Sequence, residues 1–529
     1  MPSGSSSVQD LLALICNKGD PALLTSGLFG LEKESLRVAQ SGGIAFTPHP
    51  LELGSALTHP HITTDYSEAL LEFITPPFQT FSEALDCLKN LHLFVQENLK
   101  DELLWATSMP CVLAGEDNIP VAQFGDSNHG LMKYIYRVGL GYRYGRVMQV
   151  IAGVHFNYSI VDDFWPMYQK LLGDEGSLRD FRDAHYMGMV RNLQRYGWII
   201  PYLFGASPAV CRSFFYGKEP DLLVFDDTTY YEPYATSLRT GDIGYQNRKE
   251  EGMGVKACYD NLADYVQSLA CATKTPCPVW EEIGVKVDGE YRQLNANRLQ
   301  IENEYYSSIR PKQIPGDMET PSRALLERGI QYVELRSLDV NAYHPLGMDE
   351  QQLRFLHAFM LYCLLRPSPV ISDIERKEID RNIIWVAQQG RDPLLKLQRG
   401  GKAVLFRDWA NELLDGMRPV AEVLATEKQD AEYAASIEQQ IQKIVDADKT
   451  PSGRMLKEMR ENGEGFYQFA RRLSLEQWRY FSSQKLEDFF HDYMHELTSQ
   501  SLRQQQELEA ADSKESLDDF LQRYFDGQI

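Results

Sequence analysis

The sequence lacks every common glycine-rich phosphate cradle. No G-x-x-x-x-G-K-[ST] occurs among its 529 residues, and "RGGKAV" (399–404) has neither the spacing nor the hydroxyl. No G-x-G-x-x-G follows a strand-like run and no G-x-S-x-G is present, which excludes the usual dinucleotide folds and nucleophile-elbow hydrolases. A nucleotide enzyme built on this chain must hold phosphates with metal ions and arginines. Positive charge is also scarce: 53 Lys and Arg stand against 75 Asp and Glu, a formal net charge of −22. That argues against a nucleic acid or an anionic membrane as partner, although a local arginine cluster can still receive an anionic substrate. The eight cysteines contain no C-x-x-C pair and are sparse for the length, which predicts free thiols in a reducing cytosol rather than a disulfide scaffold. No run approaches the 18 apolar residues of a membrane span. The start, "MPSGSSSVQDLLALICNKGD", has no basic segment before its short apolar run, so no signal peptide is expected and a cytoplasmic location is.

What remains is ordinary globular composition, 43% hydrophobic and 24% charged. Length alone suggests roughly two to four domains. Residues 1–25 read as a flexible start with one short helix, 26–395 as a mixed α+β catalytic domain, and 396–529 as a helical extension packed on it. Strand alternation marks "GLEKESLRV" (30–38), "ALLEFITP" (69–76), "QVIAGVHFNYSI" (149–160), "RLQIENEYYSSIRP" (298–311) and "IQYVELRSLDV" (330–340). Helical spacing marks 81–99, roughly 180–197, 418–448 and 485–512. "FLHAFMLYCLL" (355–365) is a core helix, with Asp349 and Gln352 at capping-box spacing before it. The strands do not alternate with helices as βαβ units would, so a mixed or antiparallel sheet is expected. His491-Asp492-x-x-His495 imitates a zinc-protease helix, but aspartate replaces the glutamate base among surface-type charges; a solvated helix is expected there.

In a strand, "GLEKESLRV" puts Glu32, Glu34, Leu36 and Val38 on one face and Leu31, Lys33, Ser35 and Arg37 on the other. Two carboxylates about 7 Å apart repel by ~2.4 kcal/mol at an effective dielectric of ~20, and by about 0.6 kcal/mol in open water. These nine residues alone fit a solvated edge strand. Other strands repeat the pattern: Glu72 with Leu70 and Ile74, just after Asp65; Gln149, His155, Asn157 and Ser159; Glu334 and Arg336 with Leu338 and Val340; Gln300, Glu302, Glu304 and Tyr306. Singly, each is a satisfied histidine or a same-face ion pair. On one sheet they form a carboxylate-lined cavity that requires divalent cations. Oxygen-rich ligands suit Mg²⁺, and one imidazole makes Mn²⁺ tolerable. Metals, arginines and no P-loop point to phosphoryl transfer from ATP. Arg239, Arg310 and the pair Tyr136–Arg137 lie in polar segments suited to binding carboxylate or phosphate, and Tyr245 follows in the same turn-rich stretch as Arg239. A glycoside hydrolase is the alternative for paired carboxylates, but it does not explain a carboxylate–histidine–arginine set on several strands.

"GLEKESLRV", "ELGSALTHPHITTDYSEALLEFITP", "AQFGDSNHG", "YRYGRVMQVIAGVHFNYS", "GWIIPYLFGASPAVC", "YATSLR", "LQIENEYYSSIRPK" and "YVELRSLDVN" together resemble the gamma-proteobacterial type of glutamate–cysteine ligase. The resemblance runs from about residue 27 to 390 and recurs in "RQQQELEAADSKESLDDFL". It implies the first step of glutathione synthesis, in which ATP phosphorylates the γ-carboxylate of glutamate and the amine of cysteine displaces phosphate. It also implies a glutamine-synthetase-like curved, mainly antiparallel sheet forming a funnel with Mg²⁺ on its inner face, in a monomer. By resemblance, Glu34, Asp65 and Glu72 hold one metal, and Glu32, His155 and Glu334 gather at the metals of the ATP phosphates. Arg336 stabilises the transferring phosphoryl group, with Arg310 near the phosphates. Arg239, Tyr245, Tyr136, Tyr306 and Gln149 line the amino-acid pockets. A ligase of the same fold acting on another amine is the near alternative. Lys33 stands where the family pattern leads one to expect arginine, and 395–480 matches less clearly.

Overall fold

A computed structural model describes residues 7–244, 255–316, 318–512 and 515–527. Its centre is an antiparallel sheet of β1 (Gly27–Ala39), β2 (Ile62–Thr64), β3 (Leu70–Ile74), β4 (Glu102–Leu104), β5 (Gly153–Ile160), β6 (Ile309–Lys312) and β7 (Tyr332–Asp339). The strand order is β6-β7-β5-β1-β3-β2, and β4 pairs with the far end of β1. With the helices around it, this is the α+β arrangement expected.

Alternation sorts the two faces. Phe29 and Leu31 pair with Tyr158 and Phe156, which pair in turn with Val333 and Leu335, so one face is a wholly apolar band. Helix α1 (Phe81–Asn98), begun by a Thr80–Glu83 capping box, and helix α2 (Glu350–Leu365), capped by Asp349, cover that band. Phe81 lies 4.5 Å from Phe29, and the His357 ring 5.2 Å from Tyr158. Lys33 also points to this side: its Nζ lies 3.0 Å from His92 Nε2, and His92 is stacked between Phe73 and Phe481.

Several expectations need correction. Residues 298–311 are not one strand: Glu302–Glu304 is a single 3₁₀ turn, and pairing begins only at Ile309. Glu302 is drawn away to accept from Ser322 N at 2.8 Å, while Glu304 pairs with buried Arg143. These side-chain partners outcompete a ladder. Glu334 and Arg336 do not share a face with Leu338, because the β5–β7 register shifts between Leu335 and Leu338. This bulge returns Leu338 to the apolar band, opposite Val154, and turns Asp339 to the other face, opposite Gly153. The stretch 418–448 is helical as expected, divided between Phe406–Lys428 and Glu432–Val445 by left-handed Gln429. The short helix expected within residues 1–25 is present as Val8–Lys18, capped by Ser7 and with Ile15 wholly buried. Not all thiols are free: Cys111 and Cys211 form a disulfide, their Cα atoms brought to 5.4 Å across 100 residues of chain.

One buried cluster runs from Val8 through the sheet to Phe469 and Met494, so the helices after residue 396 share the core of the sheet. Among the described residues no helix is long and apolar enough to cross a membrane.

Candidate active site

The polar face of the sheet looks into a cavity of about 290 Å³. The helix Asn128–Tyr144, capped by Ser127, lies across it and contributes Tyr136, Arg137 and Tyr144. Every described residue to which the resemblance gives a role lines this cavity: Glu32, Glu34, Asp65, Glu72, Tyr136, Gln149, His155, Arg239, Tyr306, Arg310, Glu334 and Arg336, whereas Asn157, Ser159, Gln300 and Glu302 do not. Tyr245 lies outside the described residues. Gln149 arrives from a 3₁₀ turn before β5 rather than from the strand itself.

Register fixes the arrangement. Glu34 stands opposite Glu72, Glu32 opposite His155, and Asn157, Glu334 and Arg310 form a row across β5, β7 and β6. Asp65 follows directly on β2, with its N–H bonded to Leu70 O. Glu32 accepts from His155 Nδ1 and from Asn157 Nδ2, both at 2.8 Å. With Nδ1 so engaged, His155 Nε2 turns its lone pair towards Glu34 Oε1, 4.0 Å away. Glu334 Oε1 takes Arg336 Nη1 at 2.9 Å, and its Oε2 has Lys312 Nζ at 3.6 Å.

The electrostatics divide the site in two. At the β5–β7 end, burial opposes ionisation of Glu334, but the Lys312 and Arg336 charges win and hold its carboxyl far below the usual range. Burial likewise opposes ionisation of Glu32, and the hydrogen bond from His155 outweighs it. At the β1–β3 end the balance is reversed. Burial and the Asp65 charge push Glu34 up, and burial with Glu32, Asp65 and Glu34 pushes Glu72 well above the carboxylate range. Three carboxyl groups there face an imidazole lone pair, a donor set that fits a hard divalent cation. Ligand atoms of Glu32, Glu72 and His155 all lie within 4.8 Å of one another, which mixes the two ligand sets that the sequence kept apart. On the opposite face, burial drives Lys33 down to about 7.

Lys312 escaped the sequence reading although it sits two residues beyond Arg310, on the same strand face. Asn303 and Tyr144, also at the cavity, carried no signal, since their places depend on the 3₁₀ turn and on helix docking.

Comparison with known proteins agrees with this geometry. The model of the glutamate–cysteine ligase family matches residues 12–386. The chain is 46% identical to the glutamate–cysteine ligase of Alcanivorax borkumensis over 501 residues, 94% of this chain and 95% of that one. It is 46% identical to the enzyme of Pseudomonas paraeruginosa over 513 residues, 97% of each. Among solved structures it is similar to a glutamate–cysteine ligase from Francisella tularensis in complex with AMP. That match has a TM-score of 0.88 and 36% identity, over 95% of this chain and 98% of that one. A bifunctional glutathione synthetase from Pasteurella multocida matches with a TM-score of 0.70 and 26% identity, over 89% of this chain and 55% of the other. The fold is thus that of a carbon–nitrogen ligase. The chain belongs to the glutamate–cysteine ligase family, and its activity is the first step of glutathione biosynthesis.

Proposed function

We propose that the cavity on the polar sheet face is where γ-glutamylcysteine is made, through γ-glutamyl phosphate, in a glutamine-synthetase-like funnel. The observation that carries this reading is the charge division. Mutually repelling carboxyl groups crowd one end, and a carboxylate–imidazole–guanidinium–ammonium cluster occupies the other. Glu34, Asp65 and Glu72 would hold one Mg²⁺, with Mn²⁺ able to replace it, and Glu32, His155 and Glu334 would face the metals carried in with the phosphates of ATP. Bound there, divalent cations neutralise phosphate charge and polarise the transferring group.

The chain's own residues do the rest. Arg336, fixed by Glu334 on a neighbouring bulge, presents its guanidinium to the phosphoryl group as it passes to the γ-carboxylate oxygen of glutamate. Arg310 and Lys312 flank the same end. Arg239, Tyr136, Tyr306 and Gln149 enclose the amino acids, and Tyr245 is assigned there by resemblance. The cysteine amine then attacks the acyl carbon, phosphate leaves, and the amine loses a proton. Held in register, the two amino acids react as neighbours rather than by chance encounter. Residues 26–395 supply all of these groups and 396–529 support them, in a monomer working in the cytoplasm.

A coupled ADP-release assay over a panel of amino acids tests the reading. Turnover should require glutamate and cysteine together, with MgATP. Equal turnover with unrelated amines and none with cysteine would remove the cysteine assignment.

A further inference from the structure

Arg239 reaches the cavity through a narrow gap. Its guanidinium lies over Gly153, where a Cβ would fall on Nη2. Nη2 donates to Arg336 O at 3.1 Å, and Nη1 lies 3.9 Å from Asp339 Oδ1. Asp339 is the cross-strand partner of Gly153, brought to this face by the β7 bulge. Both Arg239 and Asp339 are about 98–99% buried, at 2% and 1% exposure. Three further donors fix the Asp339 carboxylate: Ala206 N at 2.8 Å and Ser207 Oγ at 2.6 Å on one oxygen, and Ser237 Oγ at 2.9 Å on the other. Asp339 lines neither this cavity nor the larger one of about 1090 Å³ that Arg239, Tyr306 and Arg336 also border.

A long cationic side chain has many rotamers, and holding it in one costs entropy unless its surroundings pre-set it. Here a rigidly held carboxylate pulls on one side, a missing Cβ leaves the lane open, and a strand carbonyl terminates it. We propose that Asp339 is the positioning residue for Arg239, and that the Gly153–Asp339 pair aims the guanidinium at the α-carboxylate of an amino-acid substrate. This rests on the substrate-binding role given to Arg239 above. The bulge therefore has two outputs: it presents Arg336 to the phosphoryl group, and three residues later it supplies the anchor for Arg239.

The full-length enzyme is assayed for kcat and for the KM of glutamate, cysteine and ATP in R239Q, D339N, G153A and the doubles D339N/R239Q and G153A/R239Q. R239Q identifies the amino acid whose KM depends on Arg239. D339N and G153A should raise that same KM about tenfold or more, the worth of a charge-assisted contact, with the KM of ATP within about twofold. Each double should be no worse than R239Q alone, since the steric and electrostatic effects act only through Arg239. If D339N fails to fold, G153A, which keeps the backbone N–H bonded to Glu34, decides alone. An impaired R239Q with unaffected D339N and G153A, or doubles that multiply the single losses, overturns the positioning role and leaves the Arg239 assignment standing. An R239Q enzyme with both amino-acid KM values unchanged overturns both.

Discussion

Glu34 and Glu72 face each other directly across β1 and β3, two carboxyl groups in one register pair, with Asp65 adding a third charge beside them. Directly opposed like charges destabilise a sheet. The strands nevertheless pair regularly on both sides of this point. Twisting the charges apart would open the ladder, so the arrangement is stable only where a cation or a proton joins them.

Glu34→Gln keeps the shape and the hydrogen bond from Gly153 N while removing one charge. Turnover at ordinary Mg²⁺ should fall by about 10²–10⁴-fold, the worth of a few kcal/mol of transition-state charge stabilisation. Circular dichroism and the melting temperature should stay close to wild type. Near-wild-type turnover would contradict the metal role.

Divalent ions should stabilise the folded protein by mass action, because the unfolded chain does not gather these carboxylates. The melting temperature of the wild type should rise on adding Mg²⁺ and fall on chelation. Glu72→Gln relieves the repulsion, so its metal-free form should melt higher than the metal-free wild type and respond less to Mg²⁺. Differential scanning calorimetry with and without EDTA reads both effects.

Acid should weaken the fold through buried neutral histidines away from the site. Burial lowers His49 to about 4, His59 to about 3 and His357 to about 3. Below about 6.5 the unfolded chain takes up protons that the native imidazoles refuse, so stability is lost as pH falls from there towards the folded values. Each contributes a slope approaching ~1.4 kcal/mol per pH unit. Urea midpoints at pH 7 and pH 5 should differ less for His357→Gln than for wild type, by about one proton's slope. An unchanged pH dependence would place the acid sensitivity elsewhere.

Alkylation of the unreduced, denatured protein should modify six cysteines, and all eight after reduction, because only Cys111 and Cys211 are joined. Cross-linking two points 100 residues apart restricts the unfolded chain, and Cys111→Ser should lower stability by about 2–5 kcal/mol. Intact-mass spectrometry and denaturant titration check the two statements.

Period-two alternation placed Glu32, Glu34, Glu72, His155 and Glu334 on faces correctly, because each lies in a strand whose other face is buried. Alternation misled where the backbone departed from the ladder. A bulge at β7 reassigns Leu338 and hides Asp339, and side-chain partners at Ser322 and Arg143 turn the acidic run 302–304 into a 3₁₀ turn. Neither event leaves a period in the sequence, since both depend on groups far along the chain. The Cys111–Cys211 pair was invisible for the same reason: only the folded chain brings the two residues together. "GLEKESLRV" itself was legible in pattern, but its meaning required the second carboxylate strand beside it. Lys33 and Arg37 turn away because their partners, His92 and Glu102, lie on the opposite side.

The most direct test of the metal-centred account is anomalous diffraction from crystals of the enzyme soaked in Mn²⁺ with a non-hydrolysable ATP analogue. The account predicts a manganese peak among the carboxylate oxygens of Glu34, Asp65 and Glu72, lost in Glu72→Gln. A well-ordered site with no peak between Glu34 and Glu72, or a peak unchanged by that substitution, would contradict it.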